Sequence, residues 1–470
     1  MLGGVVKLID INDYITPNQS CIKSLAETVK GKKGEAVKKI TLNDCLSCTG
    51  CITSSESLLV NKISLENHYN QINEKYKDDN CFKIGIMSYQ SLESFLIFYK
   101  QIKKIENKNM NYYSEITNII AEILNIDFIL PLNDLILYTL NLSFNEFIDR
   151  KNKLLEGGII CTDCPGWVCY AEKKIGKISF EHMSNIKSPH EIAAIIIKTL
   201  LEKYLKNIDK NYSTDKNLYL CSIMPCFDKK IEPVKNKTEI NTVISTIELE
   251  EKFKEALTKE YIIKNKIIKL KTLKKILDMN KSIKETKELI NKQMNNTKEE
   301  INLSLYNFIF SENYSSNFYL EYFIYKIKNS NQNCLIERKP GKNIDSREIL
   351  IYKDETKSEL IYKFLISYGL RNIQNIVRMI KSNKIKYDYI ELMSCPGGCI
   401  NGAGQIRVEK SRDDIFNEIS DGFNYFKEGK VDIENSINEI EIMVNELNIN
   451  KDKFKQFFKE ADFSKSDMDW

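Results

Sequence analysis

The sequence predicts an α/β protein with mainly parallel sheets flanked by helices. Short apolar runs alternate with helix candidates along the chain, which is the pattern of parallel sheets. Three cysteine motifs each follow directly on an apolar run, and ligands collect at the carboxyl ends of the strands in such sheets. With 470 residues and 42% hydrophobic content, the chain has enough apolar material for about three domains or two larger lobes.

The predicted elements begin after an irregular stretch that covers the first 80 residues. The strand candidates are short apolar runs: Phe82–Met87, Phe128–Leu130, Gly158–Cys161, Leu218–Met224, Ile349–Tyr352 and Tyr387–Met393. The helix candidates are longer and amphipathic or apolar: Ser91–Lys104, Ile119–Leu124, Ser143–Lys153, Ile192–Tyr204 and Glu359–Met379. After Gln405 we expect mainly helix as far as Leu447.

A lysine-rich segment at 250–300 carries Ile and Leu at helical spacing. It could present a basic surface to a partner. The favoured interpretation is a solvated pair of helices with an apolar inner stripe, because runs of charge usually face water.

Composition narrows the class of protein. The 69 basic and 65 acidic side chains leave a net charge of +4, so strong electrostatic binding to nucleic acid or to an anionic membrane is not expected. We find neither a signal-peptide core nor the roughly 18 apolar residues of a membrane span, so we expect a soluble cytoplasmic protein. Thirteen cysteines beside three histidines, in a chain without a secretory signal, favour metal ligation by thiolates over disulfides.

The first cysteine motif is Cys45-x2-Cys48-x2-Cys51. This spacing can turn three sulfurs around one iron–sulfur cube, and it matches most of the bacterial ferredoxin signature. The fourth ligand must come from elsewhere, with Cys21 or Cys81 as candidates. Zinc is the rival metal, although zinc sites usually combine two separated Cys-x2-Cys pairs.

The second set of cysteines is spread over three proline-containing loops. Loop one is 162–167, loop two is 224–229 and loop three is 391–399. Their four cysteines would make a second, buried [4Fe–4S] site: Cys164, Cys226, Cys395 and Cys399. A single buried cysteine is usually only an apolar core residue, but three Pro-Cys loops together favour a cluster.

These loops resemble the signature motifs of iron-only hydrogenases. They are more similar to those of the iron-only hydrogenase-like proteins of cytosolic iron–sulfur protein assembly, the nuclear prelamin A recognition factor-like family. The phrase Cys-Pro-Gly-Trp-Val-Cys-Tyr-Ala-Glu-Lys at 164–173 looks like that family's own form, as does Lys-Ser-Pro at 187–189. The resemblance extends from Ile9 to the carboxyl terminus and is weakest in the lysine-rich segment.

The resemblance implies two α/β lobes with the second cluster buried between them. It also implies an amino-terminal [4Fe–4S] cluster held by Cys21, Cys45, Cys48 and Cys51, and a central one held by the four loop cysteines. The predicted divisions are an amino-terminal cluster segment at 1–80, lobes at 81–215 and 216–410, helices at 411–463 and a tail at 464–470.

One departure from the family pattern bears on activity. True hydrogenases have a proton-shuttling cysteine where this chain has Asp163, whereas Lys229, Glu232, Glu391 and Met393 match the hydrogenase pattern. We therefore expect a non-catalytic cluster carrier or adaptor that links an early scaffold to the late targeting complex. A degenerate, reductive iron–sulfur enzyme is the alternative, and a zinc-stabilised interaction protein is a third interpretation.

The chain ends on an acidic segment that contains one of its two tryptophans. Met468, Asp469 and Trp470 resemble the tail by which assembly clients and adaptors dock on the targeting complex. A terminal aromatic side chain can fill a pocket on a partner. The alternative is a tail without a binding role, or a Trp470 side chain that packs on its own lobe.

Overall fold

The computed structural model describes residues 64–105, 112–153, 157–258, 266–296, 318–341, 343, 345–406 and 433–460. The amino-terminal cysteines (Cys21, Cys45, Cys48 and Cys51) and the tail residues (Met468, Asp469 and Trp470) lie outside the described residues. Within them, no helix has the length and apolar character needed to cross a membrane.

The strands of the described residues are β1 Phe82–Met87, β2 Phe128–Pro131, β3 Ile159–Ile160, β4 Leu218–Met224, β5 Thr242–Ser245, β6 Leu335–Pro340, β7 Ser346–Tyr352, β8 Leu360–Tyr368 and β9 Tyr389–Met393. They form two sheets, of four strands in the order β2-β1-β4-β5 and of five strands in the order β3-β9-β8-β7-β6.

The helices of the described residues are α1 Leu65–Glu74, α2 Tyr89–Lys103, α3 Tyr113–Ile123, α4 Asn133–Asn152, α5 Pro165–Tyr170, α6 Pro189–Ile208, α7 Thr214–Asn217, α8 Ile231–Lys235, α9 Glu250–Ala256, α10 Leu270–Leu277, α11 Ile283–Asn296, α12 Tyr319–Ser330, α13 Leu370–Lys381 and α14 Ile433–Glu446. Both α5 and α6 begin with proline, whose fixed φ suits the first helical position.

The four-stranded sheet is parallel throughout. Phe82 of β1 pairs with Leu218 of β4, and Ile84 pairs with Phe128 of β2. All seven residues of β4 are buried, as expected for a strand covered on both faces. This sheet confirms the predicted α/β class.

The five-stranded sheet is mixed. Strand β9 lies parallel to both β3 and β8, whereas β8, β7 and β6 are antiparallel. The predicted helix over Glu359–Met379 is therefore wrong in its first half. The run Leu360–Tyr368 is rich in Ile, Tyr and Phe, which favour strands, and Gly369, with φ +82°, separates it from α13.

Within the described residues, the lysine-rich segment forms three helices, α9, α10 and α11, where a pair was predicted, and their inner faces are buried as predicted. Leu270, Leu273 and Ile276 of α10 are buried, and Ile290 of α11 is also buried. Ion pairs attach the segment to α14, with Lys274 lying 2.8 Å from Glu446. Part of the segment's positive charge is therefore paired with carboxylates of the same chain.

The two sheets interleave along the chain. Strand β3 belongs to the five-stranded sheet, although β4 and β5, which follow it, belong to the four-stranded sheet. The division expected at residue 215 falls between β1 and β4, which are hydrogen-bonded neighbours. The chain therefore passes from one sheet to the other more than once along its length.

Candidate metal centre

The three predicted cysteine loops follow strands of both sheets and come together where the sheets meet. Loop two follows β4 of the four-stranded sheet, while loops one and three follow β3 and β9, which are parallel neighbours in the five-stranded sheet. Loop one contacts loop three directly, because the backbone N–H of Ser394 donates to Cys164 Sγ at 3.3 Å. The site therefore lies between the two sheets, at the strand ends predicted from the sequence.

The four loop cysteines are all buried. Cys164, Cys226 and Cys395 are each 6% exposed and Cys399 is 8% exposed. Cys164 directly precedes α5, Cys226 directly precedes a short 3₁₀ turn, and Cys399 begins another. The structure thus groups four thiols in an interior where water has little access.

The thiols influence one another electrically. Burial raises the pKa of Cys399 well above the usual range for a thiol, and Asp163 and the other three site cysteines raise it further. Burial and Cys395 likewise raise the pKa of Cys164. Four thiolates would therefore repel one another here unless a cationic group bound among them.

The backbone of loop three requires glycine. Gly397 and Gly398 have φ of +76° and +75°, a region that disfavours side chains. A Cβ at Gly402, three residues after loop three, would lie 2.2 Å from the carbonyl oxygen of Pro225, so with any other residue there the chain after loop three could not approach loop two so closely. This packing keeps Cys226 and Cys399 in one site.

Two side chains from outside the three loops hold the loops in position. Asp345 Oδ1 accepts from the backbone N–H of Gly397 at 2.7 Å. Gln456, which is 5% exposed, donates from Nε2 to Thr162 Oγ1 at 2.7 Å and to the carbonyl of Ile186 at 2.9 Å. Loops one and three are therefore tied to distant segments of the chain.

A buried ion network forms another wall of the site. Lys229 Nζ donates to the carbonyl oxygen and Oδ1 of Asp163 at 2.7 and 2.9 Å, and to both carboxylate oxygens of Glu232 at 3.0 and 3.2 Å. Burial alone would lower the pKa of Lys229, but these two carboxylates raise it well above its usual value. Lys229 is thus a cation whose donors are directed to Asp163 and Glu232.

The network continues towards α6. His190 Nε2 lies 2.6 Å from Glu232 Oε2, and the Ser188 hydroxyl donates to the same oxygen at 2.8 Å. Although burial raises the pKa of Glu232, Lys229 and His190 more than offset it, and the net direction is downward. The Glu232 carboxylate therefore accepts bonds from loop two itself and from the start of α6.

A cavity of about 40 Å³ adjoins this network, and Cys399, Asp163, Lys229 and His190 are among its lining residues. One water molecule needs roughly 10–15 Å³ of such volume, so the cavity has room for only a few. Its other walls are mainly apolar.

The donor set fits an iron–sulfur cluster. Among the described residues, no three His, Cys, Asp or Glu side chains are grouped closely enough to hold one metal ion. A [4Fe–4S] cluster instead binds each thiolate through a different iron, so its four ligands surround a larger group. Four buried thiols, with a backbone N–H already directed at one sulfur, match that requirement.

The structure also shows contacts that the sequence reasoning missed. His190 contacts Glu232, and Asp345 and Gln456 hold loops three and one, although no motif of the sequence indicates these contacts. Ser394 is marked in the sequence only by its position directly before a predicted ligand. The other described cysteines are also buried: Cys81, Cys161, Cys169, Cys221 and Cys334.

The central site falls within a match to a known family. The family described as "Iron only hydrogenase large subunit, C-terminal domain" matches residues 137–403, a range that includes the four loop cysteines. A probable cytosolic Fe-S cluster assembly factor from Brugia malayi is 30% identical, with 86% of this chain and 84% of that protein covered. The probable cytosolic Fe-S cluster assembly factor narfl from Dictyostelium discoideum is also 30% identical, with 87% and 85% covered.

Solved structures share the fold. A variant of the [FeFe]-hydrogenase HydA1 from Chlamydomonas reinhardtii aligns with a TM-score of 0.57, covering 84% of this chain and 98% of the hydrogenase. The two sequences are 15% identical, so this likeness concerns the fold alone.

Proposed function

This chain belongs to the iron-only hydrogenase large-subunit family, among relatives named cytosolic Fe-S cluster assembly factors, and from that membership we propose its function. It is an iron–sulfur component of cytosolic iron–sulfur protein assembly. The observation that carries this proposal is the group of four buried thiols where the two sheets meet. Four thiols placed in this way suit a resident cluster better than a surface chelate.

We propose that the chain holds two [4Fe–4S] clusters. The central cluster would be bound by Cys164, Cys226, Cys395 and Cys399, whose burial and mutual electrostatic coupling favour a cationic group among them. The amino-terminal cluster would be bound by Cys21, Cys45, Cys48 and Cys51, a set supported by spacing and by family resemblance. When bound, such clusters supply electron storage or a cluster that can be passed on.

The proposed role is that of an adaptor. The chain would connect early scaffold proteins with the late targeting complex, and Met468, Asp469 and Trp470 would dock on that complex. The tail follows residues 454–460, which lie against the main body through contacts such as the backbone N–H of Lys187 with the carbonyl of Phe454 at 2.8 Å.

A non-catalytic role is supported by the surroundings of Lys229. Its ammonium group donates to Asp163 and Glu232, and Asp163 stands where true hydrogenases have a proton-shuttling cysteine. The alternative, a reductive iron–sulfur enzyme, is favoured by Lys229 and Met393, which match the hydrogenase pattern.

Anaerobic iron and sulfide analysis tests the two-cluster proposal. We expect about eight irons per chain, and about four in either Cys395→Ala or Cys48→Ala, because each change removes one of the four ligands that one cluster needs. Cys221→Ala alters a buried cysteine of β4 outside both sets and is the matched control. Recovery of zinc, or of about four irons in the unmodified chain, would contradict the proposal.

Two further measurements separate adaptor from enzyme. Infrared bands of iron-bound carbon monoxide and cyanide would favour the enzyme, and a loaded protein without them would favour the adaptor. Deleting Trp470 should weaken capture of the targeting complex while the iron content stays unchanged. Equal capture by the shortened and full-length chains would remove the docking role.

A further inference from the structure

We propose that Ser394 tunes the reduction potential of the central cluster through a hydrogen bond from its hydroxyl to the sulfur of Cys164. The inference rests on the proposed central cluster and adds to it a role for a residue that is not a ligand. Ser394 lies between β9 and the ligand Cys395 in the chain. It is buried, with 3% of its surface exposed.

The contact crosses from loop three to loop one. Ser394 Oγ and Cys164 Sγ are 3.2 Å apart, and the backbone nitrogen of Ser394 lies 3.3 Å from the same sulfur. Within the described part of the chain, Cys164 is the hydrogen-bond partner of this hydroxyl. One residue therefore places two potential donors on one ligand sulfur.

Neighbouring residues restrict the hydroxyl to this position. A Cβ at Gly166 would lie 2.9 Å from Ser394 Oγ and 2.6 Å from Asp228 Oδ2. Loop one therefore passes directly over Ser394, and a side chain at 166 would displace the hydroxyl. The absence of a Cβ at Gly166 lets the three loops meet at this point.

The direction of the hydrogen bond depends on the state of Cys164. As a thiol, Cys164 donates its S–H to Ser394 Oγ. A sulfur that binds iron has lost its proton and can only accept, so the serine hydroxyl then rotates and donates. Hydrogen bonds to thiolate ligands are charge-assisted and stabilise negative charge on the cluster.

The reduced cluster carries one more electron than the oxidised cluster, so this bond stabilises the reduced form more. Only the difference between the two oxidation states affects the potential, and we expect a change of about tenfold in the equilibrium constant of reduction. For a one-electron couple a tenfold change corresponds to about 59 mV.

The test is a redox titration of the loaded full-length chain, monitored by electron paramagnetic resonance. Signals are assigned to each cluster by comparison with Cys48→Ala. We expect Ser394→Ala to lower the midpoint potential of the central signal by about 59 mV and to leave the amino-terminal signal unchanged. Ser367→Ala, which removes a hydroxyl from a buried position at the end of β8, should shift neither signal.

Two outcomes would overturn the proposal. One is an unchanged central potential in Ser394→Ala with full iron content, and the other is an equal shift in Ser367→Ala. If Ser394→Ala does not load, Ser394→Thr, which keeps the hydroxyl, should load and keep the wild-type potential; a shifted potential there would also overturn the proposal. Absence of a central cluster from the unmodified chain would instead contradict the proposed function.

Discussion

The two sides of the central site are built on different physical principles. The ion-pair side consists of Asp163, Lys229 and Glu232, which form salt bridges in the interior. The amide side is loop three, where backbone N–H groups bond Cys164 and Asp345. Both sides close the site, but they respond differently when one group is lost.

The ion-pair side depends on all of its members being present. A buried ion pair contributes little net stability compared with well-packed apolar residues, yet removing one member leaves an uncompensated buried charge. On the amide side each bond is a separate contribution of about 1 kcal/mol. The comparison predicts large effects from single changes on the ion-pair side and smaller, graded effects elsewhere.

Lys229→Met should have the largest effect. The change leaves the carboxylates of Asp163 and Glu232 buried without their cation, and we expect a loss of about 3–5 kcal/mol in the free energy of unfolding. Urea denaturation of the metal-free chain measures it. Lys198→Met is the matched control, because Lys198 pairs with Glu239 at 2.6 Å in a more exposed position and should change stability by about 0–1 kcal/mol.

A variant in which the whole ion-pair side is uncharged tests the same comparison. The triple variant Asp163→Asn, Lys229→Met, Glu232→Gln removes all three charges and should recover part of the stability lost in Lys229→Met. If Lys229→Met loses no more stability than Lys198→Met, the ion-pair side does not depend on its full set of charges.

Asp345→Ala tests the amide side. The change removes the acceptor for the Gly397 N–H, and because Asp345 is only partly buried we expect a loss of about 1–2 kcal/mol. Loop three should also release iron faster to a chelator. Asp345→Asn keeps an acceptor oxygen and should be as stable as the unmodified chain. Equal losses of stability in Asp345→Ala and Asp345→Asn would show that the charge of Asp345, and not its hydrogen bond, stabilises loop three.

Gln456→Ala should have an effect similar to that of Asp345→Ala. It removes two uncharged hydrogen bonds, to Thr162 and to the carbonyl of Ile186, so we expect a loss of about 1–2 kcal/mol in the free energy of unfolding. Hydrogen exchange at the amides of loop one should increase. Gln101→Ala, at an exposed position of α2, is the control. A loss of stability as large as that in Lys229→Met would contradict the expected difference between charged and uncharged hydrogen bonds.

The sequence predicted the parts of the site that depend on local pattern. The strands before loops one, two and three were predicted close to their observed positions, because each is a short apolar run that ends at a cysteine motif. Strand β8 was mistaken for helix because Leu360–Tyr368 and α13 together resemble one long apolar segment. The residue that separates β8 from α13 is Gly369, which adopts a positive φ, and a glycine inside an apolar segment is a sequence signal for such a break.

The sequence by itself determined the α/β class and the candidate ligands, because periodicity and residue type act over a few neighbouring positions. Only the tertiary structure decided which distant groups meet. Glu232 and His190 are 42 residues apart, and Gln456 and Thr162 are 294 residues apart. Their contacts follow from how the strands interleave between the two sheets, and no local pattern encodes that order.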